Sequence, residues 1–136
     1  MEPTPPDPLA ERMPPRRMLM SLQGRITRRE FWLWGVLALL GVALLLQALL
    51  GIAGVAPKAA ERLVNLVLVW PAIAVLVKRW HDRDKSGWWV LINLVPVIGW
   101  LWALVENGFL RGTPGPNRFG ADPLARPPAA EVNSAR

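Results

Sequence analysis

Residues 31–56 run for 26 positions without a charged side chain, and Gln47 is their one strongly polar member. As a helix this run would be about 39 Å long. That exceeds the roughly 30 Å hydrocarbon core of a bilayer, so the run predicts a membrane-crossing helix that tilts or sets its ends among the headgroups. Its 14 Leu, Val, Ile and Phe residues favour insertion by about 4 to 8 kcal/mol before Gln47 is counted against them. A cleaved signal sequence would have an apolar core of about 7 to 15 residues, and here the run is longer, its preamble is long and Pro57 follows the small residues at 53–56. The expectation is a retained helix.

Two further apolar blocks follow. Residues 63–77 are 15 positions long, short for a span unless Ala59 and Ala60 extend them and Arg62 snorkels to the interface. Pro71 lies inside this block and lacks an amide donor, so a kink is expected there. Residues 88–105 hold ten Leu, Val and Ile residues, but Asn93, Pro96 and Gly99 interrupt their middle. This third block therefore reads as a kinked span or as a re-entrant hairpin, with the span preferred because a turn at membrane depth needs surrounding protein to satisfy its backbone. The predicted fold is all-α: a polytopic helical membrane protein with three transmembrane helices at about 27–56, 59–77 and 87–107, the third kinked or re-entrant. An ordered loop is expected at 111–123, where Pro-Gly, Asn and Asp-Pro supply turn chemistry. The membrane domain then covers 18–123, with residues 18–23 lying flat as an apolar lead-in. Proline-rich tails at 1–17 and 124–136 are expected to be disordered.

Composition narrows the chemistry. Charged residues are only 19% of the chain, and there is no cysteine, no tyrosine and a single histidine. These counts exclude disulfide frameworks, thiolate metal sites and cysteine nucleophiles, and no metal or cofactor is expected. The sequence pI near 11.3 does not point to nucleic acid, because the cations flank apolar blocks and no recognition fold accompanies them. With three spans and a cytoplasmic N-terminus, Lys and Arg divide ten inside to six outside; a re-entrant third block makes the division fourteen to two. Trp32, Trp34, Trp80, Trp88 and Trp89 fall on that same side, as an interfacial belt would.

Polar chemistry concentrates in three places. Thr27-Arg28-Arg29-Glu30 has capping-box spacing and predicts the start of the first long helix, with Arg25, Arg28 and Arg29 just outside the membrane, each drawn to anionic lipid by about 1 kcal/mol. Residues 78–87 pack Lys78, Arg79, His81, Asp82, Arg83, Asp84 and Lys85 into a short loop, with Ser86 or Asp84 placed to cap the next helix. A self-neutralising turn is one reading; the other pairs His81 with Asp82 opposite Arg25, Arg28 and Arg29, forming a polar cluster with Glu30, Arg79 and Ser86. The third place is the loop carrying Asn117, Arg118 and Asp122. Within the blocks, Gln47, Asn65 and Asn93 are expected to hold helices together, each worth around 0.6 kcal/mol or somewhat more.

Four motifs, in this order, resemble the domain of unknown function 805 family, the YhaH-like small bacterial inner-membrane proteins. They are Gly24-Arg25-Ile26-Thr27-Arg28-Arg29-Glu30-Phe31-Trp32; Arg79-Trp80-His81-Asp82 with Ser86-Gly87-Trp88-Trp89; Pro96-Val97-Ile98-Gly99; and Gly112 with Gly115-Pro116-Asn117-Arg118-Phe119-Gly120 and Asp122-Pro123. The resemblance covers roughly residues 19–123. One departure is Trp80, where the family usually carries leucine; the stretch at Arg83-Asp84 also differs. The resemblance implies a helical membrane protein and supplies no established activity.

These observations predict a non-enzymatic integral membrane protein of the bacterial inner membrane, whose basic cytoplasmic face engages anionic lipid headgroups or a protein partner. A homo-oligomer is compatible with Gly99 and Ala103, which offer one close-packing face. The alternative is a subunit of an oligomeric channel or transporter, since so few helices need copies to enclose a path. A lipid-acting enzyme with His81 and Asp82 as an acid/base pair is disfavoured, because Ser21, Ser86 and Ser134 form no nucleophile motif.

Overall fold

Thr27 opens the first long helix with both halves of a capping box: its hydroxyl accepts from the Glu30 amide at 3.2 Å, and the Glu30 carboxylate accepts from the Thr27 amide at 2.8 Å. The computed structural model describes residues 13–125, all of whose regular elements are helical. Helix α1 is Pro15–Met20, α2 is Arg28–Ile52 and α3 is Pro57–Asp82. A 3-10 helical arm, Gly87–Leu94, and helix α4, Ile98–Leu104, complete the set, with α4 continuing as a wider π-helical turn over Val105–Phe109. The first part of α2, Phe31–Ala38, is also π-helical.

Helix α2 ends four residues short of the predicted boundary. Ala53 and Gly54 turn the chain back, with Gly54 at φ +79°. Val55 then donates to the Leu50 carbonyl at 2.9 Å and Gly54 to that of Gly51 at 3.0 Å, which is the Schellman pattern of bonds. Pro57 restarts the chain at a first helical position, where its missing amide costs nothing. Helix α3 runs antiparallel to α2 and continues through Pro71 without a break. It also overruns its predicted end at 77: residues 78–82 are helical, not loop, because partners from four other segments satisfy their charges. Asp84, at φ +56°, finally turns the chain.

Two helices, not three, have the length and apolar composition to cross a bilayer among the described residues. The predicted third helix at 87–107 is broken. Val95, Pro96 and Val97 form a tight reversal in which Ile98 donates to the Pro96 carbonyl at 2.7 Å and Val97 sits at φ +63°, ψ −67°, the strained γ-turn. The Trp100 indole closes the hairpin by donating to the Asn93 carbonyl at 2.8 Å. Both feet of this hairpin stand at the C-terminal end of α3: Arg83 and Lys85 pair with Glu106 across its base at 3.0 and 2.9 Å. The third block is thus a broken hairpin and not one continuous helix.

The N-terminal expectation also changes. The tail predicted as disordered over 1–17 includes the start of α1, which is docked against α3: Met18 is buried with Ile26, Phe31 and Val75, and Lys78 Nζ donates to the Met18 carbonyl at 2.5 Å and to that of Ser21. The remainder of that predicted tail, residues 1–12, and residues 126–136 of the other lie outside the described residues.

Candidate functional site

The polar residues gather at one end of the molecule, where α3 finishes, α2 begins and the hairpin stands. Asp82, in the last turn of α3, is the centre. Arg25 Nε donates to its Oδ1 at 3.1 Å, and Arg79, one turn back on α3, pairs with its Oδ2. Burial is nearly complete, with Arg79 at 0% exposure and Asp82 at 4%. Two guanidinium groups for one carboxylate leave a net positive charge out of water, and backbone oxygens answer it. Arg25 donates to the carbonyls of Gly115 at 2.8 Å and Thr113 at 2.7 Å, and Arg79 to those of Asn107 and Leu110, both at 2.5 Å. Charge-assisted bonds of this kind are roughly twice as strong as neutral ones, so the knot ties together α3, the segment before α2, the hairpin and the C-terminal loop.

The C-terminal loop docks on the same helix end. Thr113 donates through its amide and its hydroxyl to the Asp82 carbonyl, at 2.8 and 3.0 Å. Asn117 Nδ2 donates at 2.8 Å to the His81 carbonyl, which also accepts from the Asp84 amide at 2.9 Å where α3 ends. Phe119 lies flat on the His81 ring, with centroids 3.9 Å apart and planes within 3°. Gly112 passes so close that a Cβ there would collide with the Asp82 carboxylate. Asp122 fixes the far side of the loop by accepting from the amides of Leu124 and Gly115, both at 2.9 Å, and these bonds hold its carboxyl below the ordinary value.

Each predicted residue can now be placed. Arg25, Arg79 and Asp82 form the knot. His81 does not pair with Asp82: its Nδ1 donates to the Gly24 carbonyl at 3.2 Å. Arg28 and Arg29 do not face the knot; both are exposed, and Arg28 donates to the Phe109 carbonyl at 2.8 Å. Glu30 is held in the capping box, and Ser86 accepts from the Trp88 amide at the hairpin's first foot. Asn117 and Asp122 shape the loop, and Arg118 pairs with Asp84 at the surface at 3.2 Å. Of the predicted polar glue in the apolar blocks, Asn93 bonds within its own arm to the Val90 carbonyl, and Asn65 is exposed.

Several participants lie outside the predicted polar cluster. Thr113 and Lys78 act through carbonyls, and Trp32 donates its indole proton to the Gly108 carbonyl at 3.0 Å. Glu106 was legible in principle as the one acid at the end of the third block, facing the cations of the preceding loop. Burial raises its pKa, yet the hydrogen bonds from Lys85 and Arg83 outweigh that and hold it below the ordinary value. No three of His, Asp and Glu converge on a common point among the described residues. Every oxygen of Asp82 is engaged and one face of the His81 ring is covered, so the arrangement clamps these segments together.

A polar knot at one end of two long apolar helices, with a helical hairpin beside it, defines a small helical protein with two helices long and apolar enough to cross a membrane among the described residues. The chain belongs to the family described as "Protein of unknown function (DUF805)", which it matches over residues 19–121. It is 37% identical over 111 residues to inner membrane protein YhaH of Escherichia coli (strain K12), covering 79% of this chain and 91% of that one. It is 35% identical over 104 residues to inner membrane protein YhaI of the same strain, covering 76% and 86%. Uncharacterized protein YiiR of that strain is 33% identical over 132 residues, covering 79% and 88%. No solved structure matches.

Proposed function

We propose that this chain is a non-enzymatic protein of the inner membrane that crosses the bilayer twice and displays a basic rim to anionic phospholipid on the cytoplasmic side. In this reading α2 and α3 are the spans, and the N-terminus, the hairpin's feet and the C-terminal loop share the cytoplasmic face. The hairpin arms, about 16 Å for eight 3-10 residues, reach to about half the depth of the hydrocarbon. Fourteen of the sixteen Lys and Arg residues then lie inside, the strong form of the positive-inside bias.

The observation that carries this reading is how the cations at this end divide. Arg25 and Arg79 are buried and answered by carbonyls, so they are structural, whereas Arg16, Arg17, Arg28 and Arg29 are exposed around them. Exposed arginines at a headgroup layer attract anionic lipid, each by about 1 kcal/mol. Reporters active on one side only, fused before Met1 and after Arg136, should both report the cytoplasm; a C-terminus on the opposite side refutes the two-span reading. In mixed nanodiscs the full chain should enrich phosphatidylglycerol over phosphatidylcholine, and the enrichment should fade with salt as surface attraction does. Equal partition at low salt would refute the basic rim.

A further inference from the structure

A cavity of about 600 Å³ opens beside the start of α2, bounded by α1, the first turns of α2 and the end of the C-terminal loop. That volume lies in the range of sites for small ligands. Its walls divide by chemistry. Arg28 and Arg29 supply two guanidinium groups, while Met18, Leu33 and Trp34 supply apolar surface. Among the described residues Glu30 is the only acid in the lining, and its carboxylate is already taken by Thr27, so this wall is net positive. The capping box takes up the Thr27 and Glu30 amides, and the guanidinium groups of Arg28 and Arg29 supply the charge of this wall. Arg28 keeps one nitrogen on the Phe109 carbonyl; Arg29 makes no side-chain bond among the described residues.

Above the cavity the apolar wall continues. Leu33 lines it, and Leu37, Leu40 and Leu44 follow at steps of four, three and four residues, which keeps them on one helical face. All four are open, at 44%, 59%, 53% and 64% exposure. A cationic chamber that leads into a leucine track along a membrane-length helix has the two-part chemistry of a phospholipid. The phosphoryl group meets the guanidinium forks, and an acyl chain lies on the leucines. A zwitterionic headgroup would bring its ammonium against two arginines with no free carboxylate to receive it, so the wall selects a net-negative headgroup.

We infer that the cavity between α1 and α2 is a saturable site for one anionic phospholipid, with Arg28 and Arg29 holding the phosphoryl group and the Leu33, Leu37, Leu40 and Leu44 face carrying a chain. This rests on the reading that this end lies at the headgroup layer, and it goes further by assigning one lipid to one place. A free phosphate shares the phosphoryl chemistry but gains nothing from the leucines.

The test uses the full chain in nanodiscs and in detergent, with native mass spectrometry to count retained phosphatidylglycerol or phosphatidylcholine and inorganic phosphate as competitor. One phosphatidylglycerol per chain is expected. Retention should fall about tenfold or more in Arg28→Gln/Arg29→Gln, the size of a lost charge-assisted contact, and should change little in Arg16→Gln/Arg17→Gln, whose side chains lie outside the lining. Arg29→Gln alone keeps the test clear of folding, since Arg29 supports nothing in the fold among the described residues. Leu37→Gln should weaken lipid retention without touching the arginines. If the four arginines contribute alike with no fixed stoichiometry, the site is overturned and the diffuse basic rim survives. If phosphatidylglycerol is not preferred in any variant, both readings fall. If inorganic phosphate displaces the lipid at equal concentration and Leu37→Gln is silent, the lipid assignment is wrong and the cavity is a phosphate site.

Discussion

The two ends of the α2 and α3 pair are held by opposite means. At the polar end four segments meet around α3, and Lys78, Arg79 and Trp80 are completely buried. At the far end α2 has no buried residue from Leu39 to Ile52, and α3 before Pro71 buries only Ala60 and Val64. A water-soluble protein would reverse this, hiding Leu and Val and exposing Arg. In hydrocarbon the leucines need no protein cover, because lipid tails are as apolar as they are, and association falls to packing and hydrogen bonds. The difference teaches that the order in this chain is concentrated where charges are withdrawn from solvent, and that the bare end is completed by the bilayer.

The sharpest way to break that contrast is to remove the carboxylate at the centre of the knot. Asp82→Asn leaves Arg25 and Arg79 facing each other without a counter-charge, and breaking a buried pair in this way costs about 3–5 kcal/mol. The expected result is a large loss of stability in detergent unfolding, with residues 110–125 becoming accessible to protease. Leu44→Ala at the bare end should shift stability by less than about 0.5 kcal/mol, as exposed positions do. Similar effects at both positions would refute the division of labour.

A smaller effect should come from the base of the hairpin. Glu106 has its carboxyl held below the ordinary value of 4.5 by Lys85 and Arg83, against the pull of burial. A group whose pKa is depressed on folding contributes stability above its unfolded value and loses that contribution as pH falls through the folded one. Unfolding followed from neutral pH downward should therefore show hairpin stability falling below about pH 4.5, by no more than about 1 kcal/mol for a pair with partial solvent access. Glu106→Gln should be weaker at neutral pH and flat across that window. A wild-type curve parallel to that of Glu106→Gln would show that these pairs do not anchor the hairpin.

Much of this architecture was legible, and the reason the rest was not is physical. The run at 31–56 and the capping box at Thr27 and Glu30 announce α2 through side-chain identity alone. The third block was ambiguous because hydropathy counts residues and not their path: an eighteen-residue, mostly apolar block satisfies a span and a hairpin alike. What decides the matter is the Val97 γ-turn and the return of Glu106 to Arg83 and Lys85, a contact across 21 to 23 residues. The knot was hidden for another reason. Arg25 and Arg79 take most of their partners from the carbonyls of Asn107, Leu110, Thr113 and Gly115, and every residue type has a carbonyl. Sequence shows which cations exist at this end; only the fold distinguishes Arg25, which is sealed inside, from Arg29, which is exposed.

The smallest expected effect concerns Trp80. The indole is wholly buried, tilted against Trp89 at 5.8 Å, with the Lys85 ammonium 5.4 Å from its ring. Its Nε1 finds no acceptor among the described residues. Trp80→Leu removes packing and a cation–π contact, which destabilises, and removes an unsatisfied buried donor whose cost is about 1–3 kcal/mol, which stabilises. The two nearly cancel, so a net change within about 1 kcal/mol is expected. Trp80→Ala leaves the same donor absent but a larger void, and should cost about 3 kcal/mol or more. A loss in Trp80→Leu as large as that in Trp80→Ala would show that the unpaired indole donor carries no measurable cost and that packing alone sets the value of Trp80.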